Sequence, residues 1–312
     1  MANRLFFTSS RQAADNITDI FDFVWPTAVA MWNLRWQVDG FLGVHPSASE
    51  NILISRFISG SGITGANLRL ACIETSWQDQ QERFAKFLLI EICALYEAWI
   101  EEVSAELSMS NFRVKDFQFP SCHPGGGLGG ALANAQSSIS AEMTNCIFPA
   151  LAKNSKYSGV KIEALLKCYW FFKECRNSLI HRGALVDQKL LNAYGSFHPL
   201  SRNDLGLAEK PAYTQIIALG GKVRPQLRGV VGLADVVLRI ITTLDAELSK
   251  CQEAENVLAS MWTVKHGGAV TLPYDVTSRN QRALRLVGQL NLPKPSHPDQ
   301  LVAMLRRRGL TN

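Results

Sequence analysis

Apolar side chains recur at every third or fourth position over most of this chain, which is the spacing of helices. The strongest pattern covers residues 80–107, where apolar positions continue nearly all the way round the predicted helix. Its main stripe consists of Phe84, Leu88, Ile92, Leu95, Trp99 and Val103. Because a helix that is apolar on every side is buried, we expect 80–107 to be the central helix of the fold.

Three further long helices are predicted, at about 131–153, 160–181 and 230–261. The glycine-rich residues 121–130 precede the first of them and are predicted to be a flexible connection. The helix over 160–181 should end at Gly183, since glycine favours the backbone conformation that closes a helix. Four long helices in one chain favour a four-helix bundle.

Shorter elements are expected around this bundle. Gly220 and Gly221 separate two possible strands, 213–219 and 222–227, which predicts a short β-hairpin insertion. Two short helices are expected near 279–290 and 298–308. The predicted fold is therefore all-α, with a helical N-terminal extension (1–78), a four-helix bundle (79–260) and a small basic C-terminal appendage (261–312).

Composition agrees with a folded core. Of the 312 residues 47% are hydrophobic and 19% charged, which excludes wholesale disorder. The seven cysteines form no CxxC pair and no Cys/His cluster, so we expect reduced, buried thiols, no metal ion and no cofactor. The chain starts without the apolar region of a signal peptide and has no uninterrupted apolar stretch of membrane-spanning length, so we expect a cytoplasmic protein.

The basic residues are unevenly distributed. Residues 259–312 contain eight Lys/Arg and two Asp, so this segment carries a net charge of +6 within a chain whose total is +5. Such an asymmetry fits contact with a polyanion such as RNA, and Arg306, Arg307 and Arg308 are the candidate contacts. A solvated basic tail that aids solubility explains the charge equally well.

A short polar sequence closes the predicted helix over 160–181. Arg176, Asn177 and His181 follow an apolar face, into which Lys173 also intrudes. By helical geometry Arg176 lies within the inward stripe, while Asn177 and His181, four residues apart, are surface neighbours. An apolar face that turns basic before a helix ends suits the lining of a cleft better than a core.

These side chains suit the cleavage of a phosphodiester bond. Histidine titrates near neutral pH and can take the proton of a ribose 2′-hydroxyl or donate one to the leaving oxygen. Arginine offers a bidentate fork to the phosphate oxygens as charge develops. Asn177 can orient the imidazole or bind phosphate, and the chemistry needs no metal ion.

A purely structural interpretation stands beside this one. Arg176 would then pair with Glu97 or Glu91 inside the bundle, and His181 would be a polar residue favoured by the helix dipole. Ion pairs of this kind also collect in structural bundles. The residue chemistry leaves both interpretations open.

The sequence Arg-Asn-x-x-x-His at the end of the third long helix resembles the HEPN superfamily, the higher eukaryotes and prokaryotes nucleotide-binding domain. The apolar helix over 84–103 is similar to that family's second signature, a helix containing a glutamate. The resemblance covers about residues 80–260. It implies a HEPN-like bundle in which Arg176 and His181 are the catalytic pair, Asn177 is the polar residue after the arginine, and Glu97 is the helical glutamate. The neighbouring cations Lys173 and Arg182 are candidate supporting residues beside them.

The same resemblance implies a metal-independent endoribonuclease, in a toxin or antiviral defence role, whose two motifs meet across a homodimer. An antitoxin or other regulatory partner is also implied. The alternative is a HEPN module that binds RNA, a nucleotide or a protein partner without cutting. Arg176 and His181 lie about 140° apart on a regular helix, so the catalytic hypothesis needs a distorted helix end or a second protomer.

Overall fold

The protein, described here by a computed structural model over residues 4–108, 113–118 and 126–312, is helical and has no β-strand within those ranges. The all-α class is therefore confirmed. In chain order the α-helices are α1 (Thr8–Val44), α2 (Glu50–Phe57), α3 (Trp77–Leu107), α4 (Val114–Phe117), α5 (Gly127–Ala135), α6 (Phe148–Leu151), α7 (Ile162–His181), α8 (Gln188–Phe197), α9 (Arg202–Leu205), α10 (Leu227–Leu248), α11 (Gln252–His266), α12 (Val276–Gly288) and α13 (Pro298–Arg307). Single π-helical turns lie at Leu70–Glu74 and Met143–Ile147, and a 3-10 turn lies at Gly159–Lys161.

Helices α3, α7 and α10 pack against one another at the centre of the molecule. The residues that α3 buries, including Leu89, Ile92 and Tyr96, lie on one side of the helix, and Phe87 on the opposite side is 72% exposed. The helix is central, but the expectation that it is buried on every side is wrong, because its far side carries exposed charged residues such as Glu91. The six cysteines among the described residues are buried and unpaired, in agreement with the expectation of reduced thiols. Cys122 and His123 lie outside the described residues.

The N-terminal helix α1 is anchored to this centre by two carboxylates. Asp245 of α10, fully buried, accepts hydrogen bonds from the backbone N–H groups of Phe6 and Phe7 at 2.7 and 3.0 Å. Glu106 of α3 accepts from the N–H groups of Thr8 and Ser9. The first N–H groups of a helix have no partner within it, and the N-cap residue Phe7 has no side-chain acceptor for them. The carboxylates of Asp245 and Glu106 take that place.

One continuous hydrophobic core runs through all three predicted segments, because Phe6, Tyr96 and Leu305 belong to the same cluster of buried side chains. A second, smaller cluster joins the end of α1 to α2 and includes Val38, Leu42 and Leu53. No helix among the described residues is long and apolar enough to cross a membrane. The two short helices expected near the C-terminus are confirmed as α12 and α13.

Two of the four predicted long helices are wrong as continuous elements. The region 131–153 divides into α5, a turn, a π-helical turn and α6, and the region 230–261 divides into α10 and α11. The two breaks lie side by side in the fold, and their backbones are hydrogen-bonded to each other. The N–H of Ser140 donates to the carbonyl of Lys250 at 2.9 Å, and the N–H of Gln252 donates to the carbonyl of Ser138 at 2.7 Å.

The predicted β-hairpin is also wrong. The turn at its centre does form, with the N–H of Gly221 donating to the carbonyl of Ala218, but neither 213–219 nor 222–227 is a strand. The backbone of 220–223 bonds instead to Ala184 and Val186, which follow α7, at 2.8 to 2.9 Å. A partner distant in sequence has thus replaced the local one.

The predicted flexible connection over 121–130 is described only in part, since 121–125 lie outside the described residues. Its last residues belong to α5, which begins at Gly127, so that portion is helical and not a loop.

Candidate functional site

Arg176 contacts α3 from its position near the end of α7. Its Nη2 lies 3.1 Å from Oε2 of Glu97, and Nζ of Lys173 lies 3.7 Å from the other carboxylate oxygen of Glu97. All three side chains are largely buried. The pairing of Arg176 with Glu97, expected on the structural interpretation, is confirmed, whereas Glu91 lies in a groove between α1 and α3.

Asn177 contacts Arg176 and not the imidazole of His181. Its Oδ1 accepts from Nη1 of Arg176 at 3.1 Å, and its Nδ2 donates to Oε1 of Glu174 at 3.5 Å. Of the two roles expected for Asn177, orienting the imidazole of His181 is therefore not seen within one chain, and binding phosphate stays a prediction. The charged Arg176 and Glu174 are the partners of the amide instead, and hydrogen bonds to charged groups are the stronger ones.

Glu174 is a member of this cluster that the sequence interpretation missed. It is only 2% exposed, and Lys189 and Arg182 pair with it at 2.9 and 3.4 Å. Arg182 also lies 2.7 Å from Asp187. Arg182 is thus held by one carboxylate of α7, Glu174, and by Asp187 at the start of α8. The sequence feature that could have indicated a buried carboxylate here is the position of Glu174, close behind the apolar residues 168–172.

His181 is the last residue of α7 and its side chain is exposed. Within the described part of the chain it has no hydrogen-bond or ion-pair partner. Ile180 is also 45% exposed, because α7 extends past the core in its last turn. Only Ser178 stays buried there, and its hydroxyl donates to the carbonyl of Leu185 at 2.7 Å. Arg176 and His181 therefore lie on different sides of the helix end.

The floor beneath Arg176 and Glu97 consists of buried aromatic and thiol groups. The rings of Tyr96 and Tyr169 are 4.5 Å apart. Burial raises the pKa of the Tyr169 hydroxyl well above its ordinary value, and burial raises the pKa of the Cys93 thiol to about 12. Both groups are therefore protonated near neutral pH.

Two of the three C-terminal arginines are tied to other side chains. Arg308 donates to Glu255 at 2.7 Å and to Asn256, and Arg307 pairs with Glu255 at 3.0 Å and with Glu142. Burial alone would raise the pKa of Glu255, but hydrogen bonds from Ser140, Arg308 and Arg307 bring that pKa below its ordinary value. These contacts fasten α13 to α11.

Arg306 differs from its neighbours, since it is exposed and donates only to the backbone carbonyl oxygen of Asn312. It is the one member of the predicted RNA-binding trio whose side chain has no acidic partner among the described residues.

Among the residues that the structure describes, no group of three His, Cys, Asp or Glu side chains is placed to hold a metal ion. Comparison with protein-family models, with curated proteins and with solved structures finds no match. The arrangement around Arg176 and His181 therefore has to be interpreted from its own geometry.

Proposed function

We propose that the protein is a metal-independent endoribonuclease of HEPN type, with Arg176, Asn177 and His181 as its catalytic residues. The observation that carries the proposal is the Arg-Asn-x-x-x-His sequence at the end of α7, where Glu97 of α3 holds Arg176 and His181 is exposed. An arginine fixed by a carboxylate and an amide keeps its orientation, and such preorganisation is what stabilises a developing charge.

In the proposed reaction the ribose 2′-oxygen attacks the adjacent phosphorus, and the bond from phosphorus to the 5′-oxygen breaks. His181 accepts the proton of the 2′-hydroxyl, and the departing 5′-oxygen receives a proton from a second acid. The products are a 2′,3′-cyclic phosphate and a 5′-hydroxyl. Arg176 stabilises the negative charge that builds on the phosphate oxygens.

The geometry of one chain supports a homodimer as the active form. Arg176 is mostly buried against α3 while His181 projects from the other side of the helix end. A second copy of the chain would bring its own His181 to the site and supply the second acid. Such two-fold assembly uses the same surface on both copies. A toxin or antiviral defence role, under the control of an antitoxin or another regulatory partner, is part of the same proposal.

The second candidate is a HEPN module that binds RNA, a nucleotide or a protein without chemistry. The observation that favours it is the engagement of both terminal nitrogens of Arg176, one by Glu97 and one by Asn177. Such contacts also serve a bundle that only needs to stay folded.

Purified wild type, His181→Ala and Arg176→Ala distinguish the two candidates in buffer containing EDTA. The nuclease proposal expects wild type alone to cleave RNA and to slow growth when expressed. RNA binding without cleavage products at any concentration of wild type supports the binding module.

A further inference from the structure

A cleft of about 400 Å³ lies beside the end of α7. The first turns of α3 form one wall, with Arg83 and Lys86. The segment after the Gly220 turn forms the other wall, with Lys222 and Arg224, and Gly183 and Ala184 lie between the walls. We name the side chains Arg83, Lys86, Lys222 and Arg224 the basic cleft.

Backbone hydrogen bonds hold the basic cleft next to the end of α7, which carries the proposed catalytic residues. The N–H of Val223 donates to the carbonyl of Ala184 at 2.8 Å, and the N–H of Val186 donates to the carbonyl of Gly221 at 2.8 Å. Lys222 and Arg224 are therefore carried by a segment bonded to residues that begin only three positions after His181. This contact replaces the hairpin that the sequence predicted, so it is specific to the folded chain.

Positive charge predominates in the basic cleft. Two carboxylates share it with the four cations: Glu82, which pairs with Lys86 at 2.7 Å and lies 4.0 Å from Arg224, and Asp79, which accepts from the Ser76 hydroxyl. The exposed side chains of Arg83 and Lys222 have no hydrogen-bond or ion-pair partner among the described residues. A cation without a protein partner is available to an anionic ligand.

This arrangement contrasts with the C-terminal arginines that the sequence indicated as RNA contacts. Arg307 and Arg308 share the buried carboxylate of Glu255, whereas Arg83 and Lys222 have no carboxylate of their own. Arg83 and Lys222 therefore combine two properties: they have no carboxylate partner among the described residues, and they line a cleft that includes Gly183, just after the end of α7.

We propose that the basic cleft binds the phosphate backbone of single-stranded RNA next to the bond that is cut. The proposal rests on the proposed function, since it assigns the substrate-binding surface of the same site. Contacts from Lys and Arg to phosphates position a strand without reading its sequence. The cleft accordingly sets the path of the RNA across His181 and leaves base preference to other groups.

The test measures binding of a fluorescent, single-stranded 2′-O-methyl oligoribonucleotide, which cannot be cut because its 2′-oxygen is blocked. The cleft variant is Arg83→Ser/Lys222→Ser/Arg224→Ser. The matched control is Lys265→Ser/Arg282→Ser/Arg285→Ser, which removes two Arg and one Lys from exposed positions outside the cleft. All six side chains are exposed, and thermal unfolding verifies that both proteins are folded.

The cleft variant should bind about tenfold or more weakly than wild type, and its dependence of log K on log salt should be shallower by about two, since three contacts to a single strand are lost. The control should bind like wild type, and Arg83→Lys/Lys222→Arg/Arg224→Lys should retain binding. Equal losses in the cleft variant and the control, or no binding by wild type, would overturn the proposal.

Cleavage is measured separately, so the two proposals fail in different ways. If wild type binds through the cleft but cleaves nothing, the nuclease proposal fails and the cleft stands. If cleavage depends on His181 while the cleft variant binds the oligonucleotide like wild type, the cleft proposal fails and the nuclease stands.

Discussion

Glu97 of α3 and Arg176 of α7 are joined by an ion pair of 3.1 Å, with Lys173 as a second cation on the same carboxylate. This contact links the central helix to the proposed catalytic sequence. It stabilises the packing of α3 on α7 and fixes the guanidinium at the same time. A structural and a catalytic role for Arg176 are therefore compatible.

A double-mutant cycle measures the interaction free energy between Glu97 and Arg176. Glu97→Ala and Arg176→Ala should each lower the free energy of unfolding by about 1 to 2 kcal/mol, less than for a fully buried pair because both side chains keep some exposure. The double variant should cost less than the sum of the two, since residues in contact couple by about 0.5 to 3 kcal/mol. Urea unfolding gives all three values.

Glu91→Ala is the control for this cycle, since Glu91 is exposed on the same helix. It should change stability by no more than about 0.5 kcal/mol. Strictly additive effects of Glu97→Ala and Arg176→Ala would contradict the account of the pair.

Substitutions of Arg308 and of Arg306 should lower the free energy of unfolding by different amounts. Arg308→Ala leaves the buried carboxylate of Glu255 with Arg307 as its remaining cation, so we expect a loss of about 1 to 3 kcal/mol. Arg306→Ala removes an exposed side chain with one backbone contact and should cost at most about 0.5 kcal/mol. Thermal or urea unfolding tests the difference, and an equal effect of the two substitutions would argue against the role given to Glu255.

Asp245 should make part of the stability depend on pH. Burial raises the pKa of this carboxyl to about 6, against hydrogen bonds from Phe6, Phe7 and Ser10 that lower the pKa. The folded protein therefore binds this proton more tightly than the unfolded chain does, and its contribution to stability falls as pH rises from about 4 to about 6. Above that range the contribution is constant.

Unfolding by urea between about pH 4 and pH 7 isolates this group when wild type is compared with Asp245→Asn. The advantage of wild type over the variant should shrink by about 2 to 3 kcal/mol as pH rises through the window. Asp15→Asn, exposed on α1, serves as the control. A difference between wild type and Asp245→Asn that stays the same at every pH would disprove the linkage.

Local periodicity was sufficient to predict α3 and α7, because both helices bury apolar residues at regular spacing. It failed at the junctions near Ser140 and Lys250. Both junctions are short polar segments, 136–142 and 249–256, without glycine or proline, and their backbones pair with each other in the folded chain. The hairpin failed for the same reason, since its turn bonds to Ala184 and Val186. Contacts between remote segments leave no periodic signal in the sequence.

The candidate site, like the fold, was predicted from the sequence only in part. The need of a buried carboxylate for a cation predicted a partner for Arg176 but left it open between Glu97 and Glu91, and the structure shows Glu97. Glu174 and the basic cleft did not follow, because Lys189, Lys222 and Arg224 reach their positions through the turns after α7 and after Gly220. Sequence spacing alone does not specify those turns.

The central claim is tested most directly by incubating total RNA with purified wild type and His181→Ala in EDTA and analysing the ends of the fragments. Wild type should produce fragments with 2′,3′-cyclic phosphate and 5′-hydroxyl ends, and His181→Ala should leave the RNA intact. Intact RNA with wild type, or the same fragments with His181→Ala, would contradict the account.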